Sequence, residues 1–210
     1  MAELQHLGIP VNLAPGTVVF TEGETTTHAV LIKEGHVKVI SAGPQGQEIV
    51  LATRGPGEVV GEMSPVDGRP RSATVVAVTP VAGSIVSAEI FNAFLDRHPR
   101  VMRFLLLQTT QRLRDADHRR VDLATLTVSA RVAATLLEMA GIDPRAPDPS
   151  STHPIPDISQ VELAGYVGAS REAVAKVLRD LRTKKIIQTA RRSIIIDDVP
   201  ALRALASGNT

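Results

Sequence analysis

Residues 158–185 read ISQVELAGYVGASREAVAKVLRDLRTKK, a stretch with the pattern of two short helices joined by a tight turn. Leu163 and Val167 are the apolar positions of the first helix. The apolar positions of the second recur at three- and four-residue spacing: Val174, Val177, Leu178 and Leu181. Gly168 supplies the backbone freedom that the turn needs, and Ser170 can cap the amides of the helix that follows. The stretch therefore predicts a helix-turn-helix.

The exposed face of the second helix carries side chains of the types that reach base edges and phosphates in a major groove: Arg171, Glu172, Lys176 and Arg179. From residue 170 to residue 192 there are eight basic residues and two acidic ones, in a chain whose total charge is only +1. The alternative is an ordinary pair of helices with a solvated charged face. Because turn, cap, apolar spacing and positive charge coincide, the sequence favours DNA binding.

Composition restricts the class of protein further. A chain of 210 residues holds one or two domains, and its apolar fraction of 43% with only 2% aromatic residues predicts a core of aliphatic side chains. The absence of cysteine excludes disulfides, thiolate zinc sites and cysteine nucleophiles. No stretch approaches the roughly 20 apolar residues that span a bilayer, and the N-terminus has no signal pattern. We therefore expect a soluble, cytoplasmic protein without membrane association.

Catalytic and metal-binding patterns are missing from the sequence. The six histidines are scattered and form no pair at metal-ligand spacing, so we assign no metal. No serine–histidine–aspartate or paired-carboxylate arrangement stands out either. The sequence therefore predicts a protein that is not an enzyme.

Residues 9–87 have the pattern of short strands rich in Val, Ile and Thr, separated by Gly and Pro. The predicted strands are 17–20, 29–33, 36–41, 47–53, 73–79 and 81–87. Strands of this length at such even spacing predict an all-β barrel or roll.

The pattern becomes helical beyond residue 88. A short helix is predicted over 89–96, a long one over about 100–125, and another over 128–140. In the long helix Leu106, Leu113 and Arg120 repeat at seven, as do Thr109, Ala116 and Leu123. This repeat favours a helix that pairs with a copy of itself, the alternative being a helix packed only on its own domain.

The C-terminal part continues with a proline-rich segment, which predicts a loop before the helix-turn-helix: Pro144, Pro147, Pro149, Pro154 and Pro156. After the helix-turn-helix, residues 186–189 and 193–196 predict a β-hairpin that forms a basic wing. The chain is thus divided into residues 1–97, 98–127 and 128–210.

A second candidate site lies in the strand-rich part, where residues 61–74 read GEMSPVDGRPRSAT. Gly61 allows the backbone to approach an anion, and the turn after it offers free amides. Arg71 can neutralise a phosphate, Ser72 can donate a hydroxyl hydrogen bond, and Glu62 can accept one from a ribose hydroxyl. The alternative is a polar loop with a surface Glu–Arg pair.

From Pro15 to the end of the predicted wing, the chain resembles the cyclic-AMP receptor protein and fumarate–nitrate regulator (Crp/Fnr) family. Gly61-Glu62 followed by Arg71-Ser72-Ala73 matches the phosphate-binding cassette of that family, and Ser170-Arg171-Glu172 followed by Lys176 matches the start of its recognition helix. The resemblance implies an α+β protein with an N-terminal cyclic-nucleotide-binding β-roll, a long dimerisation helix and a C-terminal winged helix-turn-helix.

For the ligand, the resemblance implies that Arg71 and Ser72 hold the cyclic phosphate, together with backbone amides near Met63 and Ser64. Glu62 would accept the ribose 2′-hydroxyl. Arg112 matches a family arginine that helps to hold the ligand-side network. A haem-ligating histidine, known in a minority of the family, is left open.

For DNA, three groups of residues are the expected contacts. They are Ser159 and Gln160 at the start of the first helix; Ser170, Arg171, Glu172, Lys176 and Arg179 at and after the second; and Arg191 and Arg192 in the wing. The expected partners are double-stranded DNA, a second copy of the chain and RNA polymerase.

Two departures from the family pattern concern the ligand and the N-terminus. Members that respond to cyclic AMP present a Thr-Ser pair to the adenine, and the matching positions here are Ala116 and Asp117. Ala116 has no hydrogen-bonding group, whereas Asp117 can accept from adenine N6 or from guanine N1 and N2. Cyclic AMP is therefore the first expectation and cyclic GMP the second. In addition, the short N-terminus leaves little room for the helix that many members place first.

The expected function is that of a homodimeric transcription regulator that binds an inverted-repeat operator and is gated by a cyclic nucleotide. Two alternatives stay open. In one, the protein binds DNA constitutively and its β-roll no longer binds cyclic AMP or binds another ligand. In the other, it is a cyclic-nucleotide sensor that acts on a protein partner instead of DNA.

Overall fold

The computed structural model describes residues 2–43, 46, 48–142, 153–156, 158–190 and 193–208. The chain divides into two compact units, residues 1–114 and 115–210. Across the described ranges, no helix is long and apolar enough to cross a membrane.

The first unit contains two four-stranded sheets in which every strand pair is antiparallel. One sheet has the order β1-β8-β3-β6 and the other the order β2-β7-β4-β5. The strands are β1 (Ile9–Leu13), β2 (Val18–Phe20), β3 (Ala29–Glu34), β4 (Val37–Ala42), β5 (Glu48–Arg54), β6 (Val59–Val60), β7 (Thr74–Ala77) and β8 (Val81–Val86). The six strands predicted from the sequence all form, and β1 and β6 are additional.

Strand β3 shows why the apolar pattern of the sequence predicts the strands of this unit. Its successive side chains point to opposite faces of the sheet, and both faces are buried. Val30 and Ile32 join a core cluster with Phe20 and Val75. Leu31 joins a second cluster, which includes Val59, Val86, Phe91 and Phe94. A strand that is buried on both faces reads as a continuous apolar run, AVLI.

The described residues before residue 126 also form four helices. They are α1 (Ala2–Leu7), α2 (Met63–Asp67), α3 (Ala88–Arg97) and α4 (Pro99–Thr125). The expectation that the N-terminus leaves little room for a helix is wrong. Although α1 has only six residues, Leu4 is fully buried in the cluster that contains Leu31 and Phe91, and this contact anchors the short helix.

The second unit contains α5 (Val128–Met139), α6 (Gln160–Val167), α7 (Arg171–Thr183) and α8 (Val199–Ala206). A three-stranded antiparallel sheet of order β10-β11-β9 accompanies them, formed by β9 (His153–Pro156), β10 (Ile187–Ala190) and β11 (Ser193–Ile196). The apolar positions predicted for α6 and α7 are all buried in one core with α5, α8 and the sheet.

Strand β9 corrects the prediction that the whole proline-rich segment is a loop. Pro154 and Pro156 lie opposite Ile195 and Ser193 of β11. Proline has no N–H to donate, so it is tolerated in a strand at the edge of a sheet, and β9 is such a strand. The other three prolines of that segment (144, 147 and 149) lie outside the described residues. So do Arg191 and Arg192, between the paired residues Ala190 and Ser193 of the predicted wing.

Candidate ligand and DNA sites

Arg71 is the one charged side chain that is buried among the described residues, because only 4% of its surface is exposed. Its guanidinium donates from Nε to Thr26 Oγ1 at 3.1 Å, from Nη1 to the carbonyl oxygen of Gly61 at 2.8 Å and from Nη2 to that of His28 at 2.7 Å. The carbon Cζ lies 3.8 Å from the centre of the Phe20 ring, a cation–π contact. The side chain is thus held in one orientation.

The charge of Arg71 is not compensated by an ion pair. Among the described residues, no carboxylate lies within ion-pair distance of its guanidinium. Burial lowers the pKa of Arg71, and the more distant carboxylates of Glu24 and Glu62 oppose this shift. A buried cation without a counter-ion is costly, so this position favours binding of an anion.

Gly61 allows the guanidinium to lie against the backbone. Its φ is +72°, in the left-handed region. A Cβ at this position would lie 2.7 Å from Arg71 Nη1 and 2.6 Å from Phe20 Cε2, so no side chain fits without displacing one of them. Helix α2 begins two residues later, and its first-turn amides at Met63 and Ser64 have no acceptor within the helix.

The remaining residues of the cassette lie close to this arginine in sequence. Ser72 is exposed and its Oγ lies 3.7 Å from Met63 Sδ, whereas Ala73 is buried. The structure therefore brings Gly61, Arg71, Ser72 and the start of α2 together, as the predicted phosphate cradle requires.

Glu62 pairs with Arg112 of α4 and not with Arg71. Arg112 Nη1 donates to Glu62 Oε1 at 2.5 Å, while Nη2 donates to the carbonyl oxygen of Val59 at 3.0 Å and lies 3.4 Å from Glu58 Oε1. The alternative of a surface Glu62–Arg71 pair is therefore wrong. The structure also brings Glu62 and Arg112 into the single network that the resemblance implied.

The two residues at the departures from the family pattern, Ala116 and Asp117, are exposed on α4 and belong to the second unit. Helix α4 buries none of its residues within the chain. Its exposed large apolar side chains are Met102, Phe104, Leu106, Leu107, Leu113, Val121 and Leu123.

The helix-turn-helix forms as the sequence predicts, and each of its two helices begins at a serine cap. Ser159 accepts a hydrogen bond from the amide of Glu162, and the Glu162 carboxylate accepts one from the amide of Ser159, which makes a capping box. Gly168 ends α6 with φ of +65°, and Ser170 Oγ accepts from the amide of Ala173 at the start of α7. The hydroxyls of both serines are therefore used as helix caps.

The predicted DNA-contacting side chains on these helices are exposed: Gln160, Arg171, Glu172, Lys176 and Arg179. On α7 they alternate with the buried Val174, Val177, Leu178 and Leu181, so one side of the helix is apolar and packed and the other is charged and free to enter a groove.

Arg131 of α5 links the end of one helix to the turn of the helix-turn-helix. Its Nη1 donates to the carbonyl oxygen of Leu126, just after α4, at 2.8 Å. Its Nε donates to the carbonyl oxygen of Val167 at 3.0 Å, and Nη2 to that of Gly168 at 3.4 Å. One planar cation thus satisfies carbonyl groups that two helix ends leave free.

Sequence reasoning missed several of these residues. Thr26 and His28 are 45 and 43 residues away from Arg71, and Glu58 is 54 residues away from Arg112. Nothing in their local pattern distinguishes them, since Thr26 stands in a run of three threonines. Only contacts between distant parts of the chain bring them to the site.

Comparison with known proteins identifies a domain in each part of the chain. The sequence profile of the cyclic nucleotide-binding domain matches residues 10–98, and that of the Crp-like helix-turn-helix domain matches residues 130–205. The chain is 31% identical over 192 residues to the CRP-like cAMP-activated global transcriptional regulator of Mycobacterium tuberculosis, covering 90% of this chain and 84% of that protein. It is 30% identical over 197 residues to the cAMP-activated global transcriptional regulator CRP of Escherichia coli, covering 92% and 91%.

The chain also resembles solved structures of transcription regulators. The c-di-GMP-responsive global regulator of Xanthomonas campestris superposes with a TM-score of 0.82 at 25% identity, covering 93% of this chain and 96% of that one. A CRP/FNR-family regulator from Thermus thermophilus has a TM-score of 0.81 at 26% identity, covering 96% and 100%.

These matches define a DNA-binding transcription regulator with a cyclic nucleotide-binding domain, and not an enzyme. The chain belongs to the Crp/Fnr family of transcriptional regulators. The predicted family and the α+β fold class are confirmed.

The crowding around Gly61 yields a test of how closely its backbone packs against Phe20 and Arg71. Gly57 also has a left-handed φ, of +84°, but a Cβ there would meet nothing within 4 Å. Gly57→Ala therefore introduces backbone strain alone, about 1–2 kcal/mol. We expect Gly61→Ala to lower the free energy of unfolding by a further ~1–3 kcal/mol, because its methyl group overpacks Phe20 and Arg71. Urea denaturation of the two variants measures the difference, and equal losses would contradict this packing.

Arg131 yields a second stability prediction. Replacing it in Arg131→Met leaves carbonyl groups at two helix ends without their donor, and we expect a loss of about 1–3 kcal/mol in the free energy of unfolding. The control is Arg179→Met, which removes the same charge from an exposed position and is expected to change stability by at most ~0.5 kcal/mol. Similar small changes in both variants, measured by urea denaturation, would show that Arg131 does not hold the helix ends together.

Proposed function

We propose that this protein is a homodimeric transcription regulator whose DNA binding is gated by a cyclic mononucleotide. The observation that carries the ligand assignment is the buried Arg71 guanidinium without an ion-pair partner among the described residues. An anionic ligand supplies the missing charge. The strongest contacts that such a ligand makes are charge-assisted hydrogen bonds to the arginine.

The ligand-binding residues of the proposal are Gly61, Glu62, Met63, Ser64, Arg71, Ser72, Ala73, Arg112, Ala116 and Asp117. The cyclic phosphate lies at Arg71 and Ser72, with the amides of Met63 and Ser64, and the ribose 2′-hydroxyl donates to Glu62. Curated relatives are named for activation by cyclic AMP, which is our first choice of ligand. Asp117 can accept hydrogen bonds from guanine N1 and N2, so cyclic GMP is the second choice.

The second copy of the chain is the proposed occupant of the exposed face of α4. Leu106 and Leu113 stand one heptad apart, and 64% and 63% of their surfaces are exposed. A helix of 27 residues with this much exposed apolar surface is typical of one that pairs with another copy of itself. In this assignment residues 98–127 are the dimerisation helix, between the sensor (1–97) and the DNA-binding domain (128–210).

Gating follows from the two arginines that hold α4. A ribose hydroxyl at Glu62 competes with Arg112 for that carboxylate and so alters how α4 is held by the sensor. At the C-terminal end of α4, Arg131 donates hydrogen bonds to the carbonyl oxygen of Leu126 and to that of Val167, just before the turn that leads to the recognition helix. A ligand that binds two arrangements of α4 with different affinity shifts the population between them.

Recognition helix α7 reads the operator in this proposal, through Arg171, Glu172, Lys176 and Arg179. A regulator of this kind acts at promoters on the chromosome. We therefore propose RNA polymerase as a further partner and the cytoplasm as the compartment.

A second candidate function is constitutive DNA binding with a β-roll that serves only as scaffold or takes another ligand. The observation that favours it is Ala116, which cannot hydrogen-bond a base. Titration of labelled operator with and without nucleotide separates the two functions, since only the gated regulator changes its DNA affinity. Calorimetry with cyclic AMP, cyclic GMP and cyclic di-GMP identifies the ligand.

The ligand proposal is tested with Arg71→Ala and with Arg71→Met, which keeps more of the buried volume. We expect either change to weaken binding of cyclic AMP by about 1.5–3 kcal/mol, or roughly 10- to 150-fold, because a charge-assisted contact is lost. Arg69→Ala is the matched control, since Arg69 is exposed and stands in the same loop. Nucleotide affinity is measured by calorimetry after thermal melting has shown that each variant folds. Arg71 variants that bind like the wild type would exclude Arg71 from the phosphate site.

The DNA proposal predicts different effects for a base-reading and a phosphate-contacting arginine. Arg171→Ala should cost about 1–3 kcal/mol per half-site and relax the preference at one base pair. Arg192→Ala, in the predicted wing, should weaken all sequences alike and reduce the salt slope by roughly one unit per lost contact.

The measurements are selection of bound sites from random DNA and salt titration of both variants. A two-fold dimer should select inverted repeats with half-sites about 34 Å apart. Recovery of single unpaired sites, or an unchanged sequence preference for Arg171→Ala, would contradict the proposal.

A further inference from the structure

One continuous segment, residues 20–28, supplies most of the contacts of Arg71; we call it the collar segment. Its side chains and backbone give the Phe20 ring, Thr26 Oγ1 and the His28 carbonyl oxygen to the guanidinium. Its backbone also pairs with that of the arginine. The Arg71 amide donates to the Glu24 carbonyl oxygen at 2.8 Å, and the Gly23 amide donates to the Arg71 carbonyl oxygen at 2.9 Å.

Within the collar segment, Thr26 is the only hydrogen-bonding side chain that the structure describes on the guanidinium. Its oxygen accepts from Arg71 Nε at 3.1 Å. The bonds from the Thr21 amide and from Thr26 lower the pKa of the Glu24 carboxyl, so that group is an anion at neutral pH. Thr26 thus contacts the arginine through one hydrogen bond, at Nε.

We propose that Thr26 is a positioning residue for Arg71: by fixing Nε on the collar side, it directs the remaining N–H groups of the guanidinium toward the ligand. This inference rests on the proposed function of Arg71 as the anion-binding residue.

The arrangement of donors supports this role. Of the five N–H groups of arginine, three are used by Thr26, Gly61 and His28. One N–H on each Nη is left without a partner among the described residues. Two such groups form a fork that fits the two non-bridging oxygens of a phosphodiester. Without Thr26, Nε loses its fixed acceptor, and only the two carbonyl oxygens and the Phe20 ring hold the guanidinium before the ligand binds.

The experiment compares Thr26→Val, which removes the hydroxyl at nearly constant volume, with Thr26→Ser, which keeps it. Thr25→Val and Thr27→Val are the matched controls, because both neighbours are exposed threonines of the same segment. We expect Thr26→Val to weaken cyclic AMP binding by about three- to tenfold, the effect of immobilising one long side chain upon binding. Thr26→Ser should bind within about twofold of the wild type, as should both controls.

A second readout does not depend on the nucleotide. In the ligand-free protein, the Arg71 Nε–H signal should exchange slowly with water in nuclear magnetic resonance spectra of the wild type and of Thr26→Ser. It should exchange faster in Thr26→Val. If the wild type binds no cyclic nucleotide while this exchange pattern holds, the proposed function fails but the positioning of Arg71 by Thr26 stands.

Two results would overturn the inference. One is wild-type affinity and slow Nε–H exchange in Thr26→Val. The other is equal loss of affinity in Thr26→Val and Thr26→Ser, because the effect would then come from packing of the segment and not from the hydroxyl.

Discussion

The guanidinium of Arg71 is held out of water without a carboxylate at ion-pair distance among the described residues, and the arrangement of the first unit depends on this constraint. Neutral acceptors and an aromatic face stabilise the cation in place of an anion: Thr26 Oγ1, two backbone carbonyl oxygens and the Phe20 ring. These groups are weaker partners than a charged one, because they carry only partial charges. A site of this kind gains most from a ligand that brings a full negative charge.

Helix α4 combines two different faces. The partly buried face contains Val101 and Leu105, which pack on the cluster with Val59, and then Arg112, which bonds Val59 and Glu62. The exposed face carries the heptad leucines that we assign to the second copy. A helix that bonds the ligand-side carboxylate on one face and pairs with a partner on the other can convert occupancy of a site into a change of dimer arrangement.

In the second unit, side chains form hydrogen bonds with the free backbone groups at the helix ends. Ser159 and Ser170 cap the starts of α6 and α7, and Arg131 binds carbonyl groups at the ends of α4 and α6. These hydrogen bonds satisfy the helix ends without using the exposed charged side chains of α7. Those side chains are available for DNA, which explains how a well-packed domain can present so strong a local charge.

The sequence by itself determined the features that follow from local patterns. Alternating or continuous apolar runs predicted six strands, three-to-four spacing and two serine caps predicted the helix-turn-helix, and the Gly61–Ala73 motif predicted the anion site. It did not predict α1, which Leu4 anchors by a distant contact, or β9, whose prolines are tolerated only because that strand lies at an edge. The tertiary structure alone decided which groups surround Arg71, because Thr26 and His28 reach it across more than 40 residues of chain. Contacts of such separation join distant parts of the chain, and no local pattern encodes them.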